Sequence, residues 1–433
     1  MDVLTLMVLG GIGLITIATI TIWALKRYEV AVFLVGFSPW LYAILFPNIP
    51  EEVQEAGIGS FLRIGLLIWM GMVGIFQFIR LRSNSNEKFY FHFILLGIFL
   101  LFALISTSYS IDPKFTFIRS CSFIAFFGFL IGLHYWLQDG KKMEEVLNTF
   151  FLLVCFFIII DTMSIAFFPE RAWWGEMNHR FKGLWTHPNT MGSICMISYP
   201  VLLWKYSRCS PFKKSMIILL TMILASLHLL TGSRASFMAT FLGIFVWFLI
   251  QKKRVKMILL FAMIGILTLS IVYFKPSSFQ REEGAGFTDL TGREQFWSGS
   301  YALLMERPIH GFGYGVEGKI WEDPRFYESK LTLWSGSAKT SLHNGYLSIA
   351  IGLGIIIFIF WSIMIIIPFG RSIPLPLNDF KVFAFTIMTM CLVLNLFESV
   401  ITDTSSLAAI LFWIAWVIAG KLPNSYIEDA GLV

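Results

Sequence analysis

The feature that most constrains this chain is a series of apolar runs, each about as long as a membrane is thick. A spanning helix needs about 20 apolar residues, and thirteen stretches of the 433-residue sequence approach that length. They lie near residues 3–25, 29–46, 58–79, 90–107, 115–137, 146–168, 190–206, 214–231, 234–251, 256–274, 344–367, 382–401 and 406–420. Backbone groups without partners are too costly in lipid, so these runs are expected to be helices. The predicted fold is an all-α, polytopic integral membrane protein with about 12–13 transmembrane helices.

Composition supports a membrane fold. The chain is 57% hydrophobic and only 14% charged, whereas a soluble domain carries about 25% charged residues. The five cysteines have no metal-ligand spacing, so we interpret them as core residues. The first apolar run follows no basic segment and precedes no small-residue cleavage site. It therefore indicates a retained helix rather than a signal peptide.

Charges in the loops predict the orientation of the chain. Basic residues concentrate in alternate loops, at Lys26 and Arg27, then Arg80, Arg82 and Lys88, then Lys141 and Lys142, and so on along the chain. The loop with Glu51, Glu52 and Glu55 has no Lys or Arg. The positive-inside rule places the basic set in the cytoplasm and the N-terminus outside. The net charge of +6 is then a topology signal, and no nucleic-acid partner is expected.

The runs and loops predict four regions. Residues 1–168 form N-terminal transmembrane helices, 169–274 a motif-bearing transmembrane core, 275–342 one long external loop domain, and 343–433 C-terminal transmembrane helices. In the long loop, Thr291 and Glu294 fit a capping box. It predicts a helix to about Glu306, with Trp297, Tyr301 and Leu304 on one face, that lies on the membrane or covers a cavity.

Polar residues that could carry chemistry fall on the predicted external side. They are Arg180, Lys182, His187 and Asn189 before one run, Arg234 between two runs, Arg293 in the long loop, His343 and Asn344 where that loop ends, and the acid Glu398. Each of these residues can also be explained without a function, as part of a turn, as a helix cap or as a side chain that snorkels to the membrane surface. An acid such as Glu398 in an apolar run usually has a partner, and an external Arg is a candidate.

Together these residues favour an anionic amphiphile as the ligand. Arginine's planar fork matches phosphate oxygens, and His suits proton transfer near neutral pH. Aromatic faces such as those of Trp185, Trp297, Trp321 and Trp334 suit sugar rings, although Trp is also common at membrane interfaces. The sequence Gly311-Phe-Gly-Tyr-Gly315 looks like a phosphate loop, but no strand precedes it and no Lys-Ser/Thr follows, so a nucleotide site is not predicted. No cofactor motif or metal cluster accompanies these residues.

The ordered motifs resemble a known family. They read Arg-Phe-x-Gly-x-x-x-His-Pro-Asn-x-x-Gly, Gly-Ser-Arg-Ala, Gly-Arg-x-x-x-Trp, Pro-Ile-x-Gly-x-Gly-x-Gly and His-Asn-x-Tyr-Leu, between Arg180 and Leu353. This set resembles the O-antigen ligase and polymerase superfamily, including exopolysaccharide polymerases. Many members are described with about twelve helices and both termini inside, so the helix count here departs from theirs.

The resemblance implies a metal-independent, inverting glycosyltransferase of the bacterial inner membrane whose site faces the periplasm or exterior. Its donor would be a glycan on undecaprenyl diphosphate. Arg234 and Arg180 would grip the diphosphate, Arg293 would assist, and His343 would act on the acceptor hydroxyl. Polymerisation of lipid-linked repeat units is favoured, with a chain-length regulator as a candidate partner. Transfer to a lipid A core sugar or protein is the alternative, and a lipid-linked oligosaccharide flippase is a third.

Overall fold

The structure is a computed structural model that describes residues 16–45, 58–83, 90–174, 180–253, 255–256, 293–320, 342–370, 379–402, 404 and 406–421. These residues are almost entirely helical, which confirms the predicted all-α membrane fold. The first helices are α1 (Thr16–Lys26), α2 (Glu29–Leu45), α3 (Ile58–Arg82), α4 (Phe91–Ile105), α5 (Pro113–Trp136), α6 (Gly140–Phe167) and the short α7 (Pro169–Ala172). A two-stranded antiparallel ribbon of β1 (Trp173–Trp174) and β2 (Arg180–Phe181) follows. The remaining helices are α8 (Pro188–Ser207), α9 (Pro211–Thr231), α10 (Arg234–Ile250), α11 (Arg293–Glu306), α12 (Glu317–Ile320), α13 (Gly345–Gly370), α14 (Asp379–Leu394) and α15 (Leu407–Gly420).

The helices agree with the predicted apolar runs. Twelve of the thirteen runs overlap a described helix, and the run near 256–274 lies almost wholly outside the described residues. Within the described part, six helices are long and apolar enough to cross a membrane. These spans are Leu62–Arg82, Phe91–Ser108, Pro113–Trp136, Gly140–Phe167, Pro211–Thr231 and Gly345–Gly370. Four shorter apolar helices, α1, α2, α10 and α15, accompany them.

The run predicted over 382–401 is wrong at its end, because α14 stops at Leu394. Asn395 is fully buried, and its side-chain oxygen accepts hydrogen bonds from the backbone N–H groups of Val400 and Ile401, each at 3.1 Å. These bonds fold the apolar segment into turns instead of a further helical turn. The turns lead to α15 and carry Glu398 at their centre.

The predicted helix of the long loop is α11, which ends at Glu306 as predicted, and its predicted N-cap Thr291 lies outside the described residues. Leu304 is buried, together with Leu303 and Ser300, and Tyr301 is 58% exposed. The two leucines join a small apolar cluster with residues of α13, so α11 packs against that helix. Its contact with a membrane stays a prediction.

Helices α3 and α5 pack with their backbones in contact, through small residues. A Cβ added at Gly74 of α3 would overlap the carbonyl of Gly128 of α5, and one at Gly132 of α5 would overlap the backbone of Gly74. Lipid gives no hydrophobic drive for two helices to associate. Close packing of small residues supplies the attraction instead.

A break in α13 is filled by the glycine loop, which we define as residues 307–316. Gly354 has φ 84° and ψ 167°, so it interrupts the helical hydrogen bonds. The N–H groups of Phe312 and Gly313 donate to the carbonyls of Ile351 and Gly352, each at 2.9 Å, and the Ile355 N–H donates to the Pro308 carbonyl at 2.8 Å. The loop therefore satisfies backbone groups that the break would leave bare.

The glycines of this loop serve this packing. Gly311, Gly313 and Gly315 all have positive φ, at 65°, 112° and 78°. A Cβ at Gly311 would overlap the Ile351 carbonyl, and one at Gly313 the Ser110 side chain. The likeness of this segment to a phosphate loop therefore has a structural cause, since the N–H groups of Gly311 and Gly313 bond to backbone carbonyls.

Contacts at each end of the helix bundle join loops that the charge pattern assigns to the same side. At one end, Arg208 lies 3.8 Å from a Glu144 oxygen and 3.6 Å from an Asp379 oxygen, which joins three loops predicted to be cytoplasmic. At the other end, contacts join segments predicted to be external, such as those of Asn189 and Glu398. We call this the site end. Sidedness relative to a membrane stays a prediction.

We predict that Gly74→Ala lowers the melting temperature of the purified protein, because overpacking costs about 1–3 kcal/mol. Gly65→Ala is the matched control in the same helix, since a Cβ there meets nothing within 4 Å. A thermal melt in detergent measures both. Equal melting temperatures for the two variants would contradict the close α3–α5 contact.

Candidate functional site

The site begins where α8 starts. His187 is the N-cap, and its Nδ1 accepts a hydrogen bond from the Asn189 N–H at 3.1 Å. Pro188 occupies the first helical turn, where its missing N–H costs nothing. Burial lowers the pKa of His187 to about 4, so its ring is neutral and can accept this bond at physiological pH. His187 thus positions the start of α8, and its contact with substrate stays a prediction.

A chain of hydrogen bonds connects four side chains at the site end. Arg180 Nη2 donates to Asn189 Oδ1 at 2.8 Å, and Asn189 Nδ2 donates to Glu398 Oε1 at 2.8 Å. The other carboxylate oxygen, Glu398 Oε2, lies 3.0 Å from His343 Nδ1. We call this series the relay. It brings together four residues that the sequence named separately, and it gives Glu398 partners on both sides.

His343 is held in an unusual backbone conformation. Its φ is 48°, in the left-handed region that residues other than glycine seldom occupy. The next residue, Asn344, caps α13, because its Oδ1 accepts the N–H groups of Tyr346 at 3.0 Å and Leu347 at 3.1 Å. The His343 side chain remains 33% exposed, compared with 18% for Glu398. A strained, partly open His that bonds to a carboxylate is suited to exchange a proton with a ligand.

The turn that carries Arg234 is fixed against the start of α8. Gly232 ends α9 in the left-handed conformation, and Arg234 is the first residue of α10. A Cβ at Gly192 of α8 would lie 2.6 Å from the Ser233 side chain, so the two segments touch. Arg180 Nε donates to the carbonyl of Thr231 at 2.8 Å. Arg180 is therefore bonded to the segment that immediately precedes Arg234. The side chain of Arg234 is half-buried.

A buried carboxylate that the sequence analysis missed supports this region. Asp161 of α6 is fully buried, and its two oxygens accept the Leu184 N–H and the Trp185 indole N–H, each at 3.0 Å. Gly183 has φ 59°, and a Cβ there would overlap Asp161. An acid within the apolar run 146–168 was the available signal. Trp185 is 3% exposed, so the prediction that it offers a face to sugars is wrong.

Trp174, unlike Trp185, has an exposed ring next to the start of α8. It is 41% exposed and lies beside His187, with ring centroids 4.9 Å apart. Lys182 Nζ lies 5.2 Å from the centre of the Trp174 ring. Burial, and secondarily the nearby Arg171 charge, lowers the pKa of Lys182. The β-ribbon sets this geometry by pairing Trp174 with Arg180.

Three further predicted residues have side chains outside the described residues, and one, Trp297, lies within them. Arg293 begins α11, but its side chain, like Trp321 and Trp334, lies outside the described residues. Trp297 of α11 contacts Phe397, next to Glu398, with ring centroids 6.4 Å apart. Among the described residues, no group of three or more His, Cys, Asp or Glu side chains could hold a metal ion.

Comparison with known proteins bears on this geometry. Residues 217–362 match the family model for O-antigen ligase. The matched segment contains Arg234, His343 and Asn344, whereas Arg180, Asn189 and Glu398 lie outside it. No curated protein matches the chain.

We predict that Asp161→Asn destabilises the protein. The two carboxylate oxygens accept hydrogen bonds from the Leu184 N–H and the Trp185 indole N–H, whereas an Asn side chain has one oxygen and would turn its NH₂ group towards one of these donors. A buried donor without an acceptor costs about 1–3 kcal/mol. Thr162→Val is the neighbouring control, since that hydroxyl bonds to the carbonyl of Ile158 in its own helix. The measurement is the melting temperature, and an unchanged value for Asp161→Asn would contradict the anchoring role.

Proposed function

We propose that this chain is a glycan polymerase of the O-antigen ligase and polymerase superfamily, a proposal supported by the similarity of residues 217–362 to the family model for O-antigen ligase. It would be a metal-independent, inverting glycosyltransferase of the bacterial inner membrane, with its site facing the periplasm or exterior. Its substrates would be repeat units of a surface polysaccharide on undecaprenyl diphosphate. The relay from Arg180 to His343 is the observation that carries the proposal, because it joins a cation to a proton acceptor.

The proposed reaction exchanges one bond for another. The acceptor hydroxyl oxygen bonds to the anomeric carbon of the donor glycan, and the bond from that carbon to the diphosphate oxygen breaks. The electron pair leaves with undecaprenyl diphosphate, and the acceptor's proton passes to His343. Attack opposite to the leaving group inverts the anomeric centre.

Each residue of the relay has a role in this step. His343 accepts the proton at Nε2, since Nδ1 lies against Glu398. The carboxylate of Glu398 holds the ring and stabilises the imidazolium that forms. Arg234 and Arg180 stabilise the negative charge that builds on the diphosphate. Fixed donors in a water-poor site are effective at this because they need no reorganisation.

Asn189 gives the relay its direction. Its amide oxygen accepts from Arg180 and its amide nitrogen donates to Glu398, so it separates the cation from the carboxylate. The amide therefore bridges Arg180 and Glu398 and holds both side chains in position.

We predict that Arg234→Ala abolishes glycan transfer while the protein still folds and inserts, because the main diphosphate cation is lost. The assay is release of undecaprenyl diphosphate together with polymer growth, using purified protein and lipid-linked repeat units. Arg208→Ala is the control, since that half-buried Arg lies at the opposite end of the bundle. Normal polymer length with Arg234→Ala would rule out its role.

We predict that His343→Ala lowers kcat by about 10²–10⁴-fold, the usual contribution of a general base, with little change in the donor KM. Glu398→Gln lowers kcat less. Because Glu398 acts through His343, the double variant is expected to be no slower than His343→Ala alone. Ser399→Ala, next to Glu398, is the control for local disturbance. Additive losses in the double variant would contradict the coupling.

A further inference from the structure

The β-ribbon before α8 has two chemically different faces. In its register, Trp173 pairs with Phe181, and Trp174 pairs with Arg180. Residues directly opposite each other in an antiparallel pair share a face, and successive residues alternate between faces. The first pair packs inward, since Phe181 is fully buried and its ring centroid lies 5.6 Å from that of Trp173. Trp174 and Arg180 therefore share the opposite face of the ribbon.

Trp174 presents an accessible ring on this face. It is 41% exposed, and the other exposed tryptophan of the described residues is Trp23, at 54%. Trp23 lies in α1, three residues before the basic pair Lys26 and Arg27, at the end of the bundle predicted to be cytoplasmic. At the site end, the described part of the chain therefore exposes one tryptophan, Trp174.

A lysine borders the Trp174 ring. Lys182 Nζ lies 5.2 Å from the ring centre, and the side chain is half-buried. Burial, and secondarily the charge of Arg171, lowers the pKa of Lys182. Among the residues that the structure describes, no carboxylate pairs with this ammonium. An ammonium has three N–H donors, so Lys182 can donate to the hydroxyl groups of a ligand that lies on the ring.

The Trp174 ring also lies close to the relay. Its centroid is 4.9 Å from that of His187, and the two rings are inclined by 68°. Burial lowers the pKa of His187 to about 4, and the charges of Glu398 and Arg180 also act on that pKa. His187 is therefore a neighbour of both the exposed ring and the relay.

We propose that Trp174 binds the sugar bonded directly to the donor's diphosphate, with its ring against that sugar and Lys182 donating to the sugar hydroxyls. This inference rests on the proposed polymerase function, in which Arg180 stabilises the diphosphate. The first sugar of the donor must then lie beside Arg180. Cross-strand partners have Cβ atoms about 4.5–5.5 Å apart, which is about the width of a sugar ring. Trp174 is therefore at the distance that the first sugar requires.

The chemistry of the pair suits a sugar. The C–H groups on one face of a sugar ring are apolar and slightly positive, whereas the face of an aromatic ring is negative. The hydroxyls at the rim of the sugar need hydrogen-bonding partners, which the ammonium of Lys182 supplies. Trp174 would thus determine which first sugar is accepted, while the relay carries out the transfer.

The test compares two lipids that differ only in the glycan. Purified full-length protein is titrated with undecaprenyl diphosphate and with the lipid-linked repeat unit, and native mass spectrometry measures binding. We expect Trp174→Ala to weaken binding of the repeat-unit lipid about tenfold, as the loss of one aromatic contact does. Binding of undecaprenyl diphosphate should stay unchanged, which also shows that the variant folds.

Further variants separate sugar stacking from anchoring in the membrane interface, where Trp is common. Trp174→Leu keeps an apolar side chain and should lose as much affinity for the repeat-unit lipid as Trp174→Ala. Trp174→Phe keeps an aromatic face and should restore most of the affinity. Phe168→Ala is the matched control, because Phe168 is 55% exposed and lies six residues earlier in the same segment. It should bind both lipids as the wild type does.

Kinetics provide a second readout. A contact made equally in the ground state and the transition state changes KM and leaves kcat unchanged. Trp174→Ala should therefore raise the donor KM about tenfold with little change in kcat. A fall in kcat with an unchanged KM would contradict a role in holding the sugar.

The outcomes also separate this inference from the proposed function. Equal loss of both lipids with Trp174→Ala, or full affinity with Trp174→Leu, would overturn the proposal. If the wild type binds both lipids equally well, the sugar subsite is wrong and a lipid-diphosphate enzyme stands. If it binds neither, the proposed function fails, and this inference with it. If Trp174→Ala does not fold, Lys182→Met tests the same subsite, and an unchanged preference for the repeat-unit lipid would count against it.

Discussion

The structure depends on one constraint, that every backbone group inside a membrane must find a partner within the protein. Regular helices meet it by themselves, so the irregular segments are the informative ones. The break at Gly354 is filled by the glycine loop. The turns after α14 are closed by Asn395, and the segment before α8 is anchored by Asp161. The turns closed by Asn395 carry Glu398, and the segment anchored by Asp161 leads to Asn189, so two of these irregular segments supply residues of the relay.

The sequence predicted what depends on local hydrophobicity. Apolar runs and loop charges are properties of adjacent residues, and they located twelve helices and grouped the loops by charge. The end of α14 was misplaced because the apolar run continues past it, while a single Asn decides the fold there. The packing of α11 against α13 was not predicted, since a helical period cannot reveal which neighbour buries a face.

The site was predictable in its parts but not in its connections. Residue types and order singled out Arg180, Asn189, His343 and Glu398, because charged side chains near apolar runs are rare. Their arrangement in one hydrogen-bonded chain depends on segments more than 150 residues apart, since Asn189 and Glu398 are 209 positions apart in sequence. Trp185 was misread for the same reason, because its indole N–H is bonded to a buried acid on another helix.

The charge balance of the relay connects these observations to the chemistry. Glu398 brings a negative charge to a site proposed to bind a diphosphate, which appears unfavourable until its partners are considered. Its two oxygens are bonded to Asn189 and to His343. Arg180 donates to the carbonyl of Thr231, which leads into the Arg234 turn. The proposed diphosphate ligand Arg180 and the proposed proton acceptor His343 therefore lie at opposite ends of the relay. That is the separation a displacement reaction needs between its leaving group and its nucleophile.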